Sequence, residues 1–220
     1  MMKSLKSMTS LAAVLIIAGW AVPAAADFTT RSGGASENEM LSRSNPSPAE
    51  GLAFVRPVMT GVLYRGGFKG GDKSRTGLSS AQRKQLCEAG FSGAIYADFG
   101  KNTDYGNTSC GTGTMTYEAA RSSRPSSVMK AVHDRIMGNG GPVYVHCMWG
   151  VHSSGALSAM ALVQFCGWSE SRAKAYWDEA RNGAPCSGGC DAWIDGKFKN
   201  FKVDPALNIS AAQQAAICPK

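Results

Sequence analysis

The chain has 220 residues, 44% hydrophobic and 18% charged, which is enough for one domain with a substantial core. Its formal net charge is +7, with no Lys/Arg run. That balance suits an anionic ligand and argues against a nucleic-acid surface.

Residues 1–26 read as a secretory signal peptide. Lys3 and Lys6 form a positive start, residues 11–20 are mostly apolar, and Ala24-Ala25-Ala26 is a small-residue cleavage site. The apolar run is too short for a comfortable membrane span, and no later stretch is long enough. The expectation is a secreted chain, periplasmic if bacterial, with no stable membrane insertion after cleavage. Without Lys3 and Lys6 there remain 21 basic residues against 16 acidic, a net charge of +5.

Seven cysteines in an exported chain suggest disulfides: Cys87, Cys110, Cys147, Cys166, Cys186, Cys190 and Cys218. The odd number leaves one thiol unpaired, and its surroundings point to Cys147. Cys186 and Cys190 can bridge locally, or each can reach elsewhere. A zinc site is the rival reading, weakened by the absence of a second paired Cys/His set.

Residues 27–50, with Gly33-Gly34 and Asn45-Pro46-Ser47-Pro48, read as a flexible or loosely attached arm. The domain is expected to occupy residues 51–220. Residues 58–64 look like a strand that Arg65-Gly66-Gly67 ends, followed by an exposed Gly/Lys-rich loop over 68–76. Ser79 or Ser80 caps a helix over 81–89, which Gly90 stops. A buried strand covers 94–97. The polar, glycine-bearing stretch 98–114 reads as a long covering loop that Cys110 pins.

Pro125 opens a helix to Met137, with Val128, Met129, Val132 and Ile136 on one face. A strand over 143–145 follows. Residues 156–165 are apolar all round, as in a central helix, and Gly167 ends them. Ser169 caps a helix to Arg181, Asp195-Gly196 suggests a turn, and Ser210 with Gln213 forms a capping box for a terminal helix. Alternating strands and helices predict an α/β fold, with a central, mostly parallel sheet flanked by helices.

The chemistry concentrates after the strand at Val143. His146-Cys147-Met148-Trp149-Gly150-Val151-His152-Ser153-Ser154-Gly155 runs from a strand through a loop into a helix. Such a loop turns its N–H groups, and the positive end of the helix, onto one spot. A cysteine there is a candidate nucleophile beneath an anion site. The backbone of Met148, Trp149, Gly150, Val151, His152 and Ser153 would bind the anion.

This segment resembles the signature loop of the cysteine-dependent tyrosine and dual-specificity phosphatases: His-Cys, five residues, then Arg-Ser/Thr-Gly. His146, Cys147, Gly150, Ser154 and Gly155 fall on that pattern. Leu63-Tyr64-Arg65-Gly66-Gly67, with the helix and strand after it, is similar to the early part of compact dual-specificity phosphatases. The resemblance implies a thiolate nucleophile at Cys147, a hydrogen bond from Ser154 to the sulfur, a loop-orienting His146 and a structural Arg65, in an ion pair. It also implies an upstream acid, for which Glu118, and further back Asp104, are the candidates. No cofactor and no metal are implied.

One position departs from the pattern. Ser153 stands where the family has its arginine, which normally forks two hydrogen bonds to the phosphoryl group. His152 is the neighbour expected to compensate in part, if protonated. The sequence therefore supports a phosphomonoester hydrolase of doubtful competence. The alternatives are a pseudophosphatase that binds phosphate or another anion, and a thiol redox protein.

Overall fold

The computed structural model describes residues 27–220 except 32, 74, 98–103 and 112, and leaves out the side chain of Asp104. The signal-peptide segment lies outside the described residues. Helix α1 (Glu37–Leu41) precedes a hairpin of β1 (Leu52–Met59) and β2 (Leu63–Phe68). Helix α2 (Ser80–Glu88) leads to β3 (Gly93–Tyr96), and β4 (Asp104–Cys110) pairs with β5 (Gly113–Ala119). Then come α3 (Ser126–Ile136), β6 (Val143–His146), α4 (Ser153–Cys166), α5 (Glu170–Arg181), α6 (Cys190–Phe198) and α7 (Ala211–Ile217).

The strands form one sheet in the order β1-β2-β6-β3-β5-β4. The pairs β2–β6, β6–β3 and β3–β5 are parallel, and the two edge pairs are antiparallel. This is the α/β fold with a mostly parallel sheet that the element alternation predicts. Val145, Ile95 and Leu63 face a core with α3, α4 and α5, while Tyr64, Tyr96, Tyr117 and Tyr144 join Leu86 of α2 in a second core. Among the described residues no helix is long and apolar enough to cross a membrane.

Local signals account for most boundaries. Ser79, Ser169 and Ser210 cap α2, α5 and α7 through their side chains. Gly167 and Asn182 close α4 and α5 in the left-handed conformation. Pro125 is the N-cap of α3 rather than its first residue.

Four expectations need correction. Residues 58–64 are not one strand: the chain reverses at Gly61, φ +67°, and Arg65–Phe68 belong to β2. The apolar Val62 and Leu63 beyond the turn mask it in the sequence. Of the stretch 98–114, residues 98–103 and 112 lie outside the described residues, and the rest is not loop but belongs to the β4–β5 hairpin, where Met115, Tyr117 and Ala119 alternate inward against exposed polar neighbours. Cys110 does pin it, through a disulfide to Cys87. Asp195-Gly196 is not a turn. Helix α6 runs through it because Ile194 and Phe198, four apart, are both buried on one face.

The fourth concerns residues 27–50, which lie against the domain rather than loosely. Phe28 packs on Tyr64 and Phe91, Met40 is 1% exposed, and Arg31 donates to the last carbonyls of α3 at Arg135 and Ile136. Those contacts satisfy the carbonyls a helix end leaves open.

Three disulfides, Cys87–Cys110, Cys166–Cys218 and Cys186–Cys190, use six cysteines and leave Cys147 free and buried. They are compatible with an oxidising, extracellular setting. The Cys186–Cys190 bridge also removes the thiolates that a zinc site there requires.

Candidate active site

Parallel strands put their carboxyl ends together, and β6 ends between β2 and β3. The loop 147–152 therefore leaves from the centre of the sheet and turns directly into α4. Cys147 N–H donates to Gly66 O at 3.3 Å, fastening the start of the loop to β2.

The loop presses closely on β2. A Cβ on Gly67 would lie 2.1 Å from Gly150 N, and one on Gly150 would lie 2.5 Å from the Gly66 carbonyl carbon. Gly150 also has φ +67°. Both positions therefore require glycine, for close approach and for backbone conformation.

Carbonyls of the loop are held from outside. Met148 O accepts from Phe68 N–H and Asp72 N–H, each at 3.3 Å. Gly150 O accepts from Arg65 Nη2 at 3.1 Å and Arg56 Nη2 at 3.4 Å, and Val151 O from Arg65 Nη2 at 3.0 Å. His152 O accepts from Trp177 Nε1 at 3.1 Å and Ala156 N–H at 2.9 Å. Among the described residues, no backbone N–H from Met148 to Ser154 donates to a protein acceptor. Carbonyls engaged behind and amides unengaged form a cradle of the kind that can take an anion.

Cys147 is 7% exposed, and its Sγ lies 3.4 Å from Ser154 Oγ. Ser154 Oγ is also 3.4 Å from Gly66 O. The thiol can donate to Ser154 while the hydroxyl donates to Gly66. When the sulfur carries negative charge, the hydroxyl proton can turn to it instead. This is the role expected of Ser154.

His146 is fully buried in an aromatic stack. Tyr96 lies 4.6 Å and Tyr144 5.5 Å from its ring, and Nε2 meets Tyr117 OH at 3.1 Å. Its Nδ1 lacks a partner with hydrogen-bond geometry. Burial pushes its pKa down to about 3, against the opposing pull of Asp72, so it is a neutral brace at pH 7.

The structure does not bring every candidate to the cradle. Glu118 is exposed on β5, two strands from β6 and in register with Ile95, which aligns with Val145. Two strand spacings are about 10 Å, so Glu118 stands apart from the sulfur. Asp104 pairs with Glu118 one strand further out. The His152 ring turns toward Trp193 at 5.9 Å and Trp177 at 6.4 Å. Burial lowers its pKa, partly offset by the backbone of Pro185 and Ala184, so burial works against the charge expected of it. Ser153 is 2% exposed in the first turn of α4. Trp149 stands 42% exposed at the lip, against Gly71.

Sequence reasoning missed Arg56 and Asp72, and it gave Arg65 the structural part it has but with an ion pair for its contact. Asp72 is 7% exposed, and its Oδ2 accepts from Gly77 N–H at 2.9 Å and Tyr96 OH at 3.1 Å. With its N–H on Met148, it braces the loop. Arg65 forms no ion pair among the described residues. It binds Tyr176 OH at 3.2 Å and the loop carbonyls instead. Only the pairing of β1 with β2 brings Arg56 to the same place, so no local signal marks it.

No protein-family model matches the chain, and no curated protein matches it in sequence. Among solved structures it is similar to P. aeruginosa TpbA, at 16% identity over 71% of this chain and 90% of that one, with a TM-score of 0.44. It is also similar to a human tyrosine phosphatase-like serine/threonine/tyrosine-interacting protein, at 18% identity over 64% of this chain and 93% of that one, with a TM-score of 0.36.

Proposed function

We propose that the chain is an exported, tyrosine/dual-specificity phosphatase-like protein that hydrolyses phosphomonoesters slowly through Cys147. The observation that carries this reading is the free sulfur of Cys147 at the base of a loop whose amides from Met148 to Ser154 have no protein acceptor among the described residues. A phosphoryl group seated on those amides has its phosphorus in front of the sulfur. The sulfur forms the S–P bond as the ester oxygen leaves with the bonding pair. Water then cleaves the S–P bond and releases phosphate. Ser154 donates to the sulfur as it leaves.

Two features slow this chemistry. Ser153 supplies no guanidinium fork, a loss worth at least the roughly 10² to 10³ of one oxyanion donor. Glu118 stands away from the cradle, so the leaving oxygen lacks that proton donor. Aryl phosphates, whose leaving groups need no protonation, are therefore the preferred substrates.

The test is turnover of an aryl phosphate by the purified chain. Cys147→Ser should abolish it, and Ser153→Arg should raise it about 10²-fold or more. Absence of turnover in both the wild type and Ser153→Arg, from mildly acid to neutral pH, would overturn the enzymatic reading.

The same two features favour a second reading, a pseudophosphatase that binds phosphate or another anionic ligand. Tungstate binding by calorimetry without turnover supports it, and absence of binding rejects it. Thiol redox chemistry is the weakest reading, because the other six cysteines are paired and Cys147 has no second thiol to exchange with.

A further inference from the structure

Arg56 and Arg65 are 1% and 0% exposed, and they stand directly opposite each other across the β1–β2 hairpin. Like charges in that position repel. Among the described residues, neither is within ion-pair distance of a carboxylate. Their Nε atoms are buried without hydrogen-bond partners among the described residues. Buried charge without a countercharge is costly, and removing it is often stabilising.

The backbone is bent to create this pair. Between Ala53 and Arg56 the register slips by one residue, and Phe54 there has φ +56°. Such an angle is unfavourable for a bulky side chain. Without the bulge, Val55 rather than Arg56 would face Arg65. Gly155 serves the same arrangement, since a Cβ on it would lie 2.7 Å from Arg65 Nη2. Arg65 thus lies under the first turn of α4, beside the positive end of that helix.

The acceptors present compensate only in part. Arg56 Nη1 donates to Leu41 O and Ala180 O, each at 3.3 Å. These belong to the carboxyl ends of α1 and α5, and a helix end carries about half a unit charge. Both guanidiniums converge on Gly150 O, on the back of the cradle.

Resting on the anion-site reading above, we infer that Arg56 and Arg65 are positioning residues whose missing countercharge is the anion in the cradle. They hold the loop carbonyls backward and supply, from behind, positive charge that the Ser153 position lacks. The groups facing Arg56 are Arg65, Arg43, Tyr176 and Cys147, and burial followed by Arg65 brings its pKa down to about 9. Charge on Cys147 raises that pKa, as a bound anion also would.

The experiment is calorimetric titration with tungstate in a Cys147→Ser background, which removes the sulfur. Arg56→Gln and Arg65→Gln keep a donor and remove the charge. Each should weaken binding roughly tenfold or more, about 1.4 kcal/mol, while Arg56→Lys keeps most of the affinity. Without tungstate, Arg56→Gln should melt no lower than its parent, whereas a merely structural arginine would lower the melting temperature. Arg56→Met, an apolar substitute that removes the buried charge, should fold at least as well as its parent and weaken binding alike, and it decides the matter if the glutamine variants do not fold. Tungstate binding that is unchanged in the variants that remove the charge overturns the arginine inference and leaves the anion site standing. No binding by the parent overturns both.

Discussion

His146 shows how burial alone sets a residue's chemistry. It is a base held neutral, so its folded pKa of about 3 lies below its ordinary value of 6.5. The unfolded chain binds a proton between those values and the folded one does not. Stability contributed by this group is therefore complete above about pH 6.5 and is lost as pH falls toward 3. Between about pH 7 and pH 5 the loss should be about 2 kcal/mol. Denaturant titrations at the two pH values should show that drop, and it should shrink in His146→Asn. An unchanged pH slope in the variant would mean that His146 is not the group responsible. His152 loses stability in the same direction, because burial lowers its pKa too. At this scale Cys147, Ser154 and Gly150 were legible in the sequence. Arg56 was not, because its position depends on a bulge and a cross-strand register.

At the scale of elements, caps and periodicity were legible wherever the signal is local. Ser79, Ser169 and Ser210 mark helix starts, and Gly167 and Asn182 mark ends, because each satisfies backbone groups within a few residues. The β4–β5 hairpin escaped because an edge pair buries only alternate residues, and its other face is as polar as a loop. The N-terminal arm escaped for a related reason. Its composition is that of a linker, yet the short α1 presents Met40 to the core, and Ser36 and Glu39 close a capping box around it. Met40→Ala should therefore cost about 2–5 kcal/mol in denaturant unfolding. An arm without tertiary contacts would show no loss.

At the scale of the whole molecule, three disulfides close loops of different lengths. Cys166–Cys218, at a separation of 52 residues, joins the end of α4 to the chain terminus, while Cys186–Cys190, at a separation of 4, closes one turn. In the chain-entropy picture the first contributes about 4 kcal/mol and the second about 2 kcal/mol. Replacing each pair by serine and comparing denaturant midpoints should give that order, and the reverse order would point to strain or local packing instead.

The sequence by itself determined the α/β class, most helix limits, the free cysteine and the loop that carries it. Those properties rest on contacts between residues close in the chain. Only the tertiary structure decided the disulfide pairing, the packing of the arm and the distance of Glu118 from the cradle. It also placed two buried arginines behind Gly150, because strand order and register set which distant residues share one small buried volume.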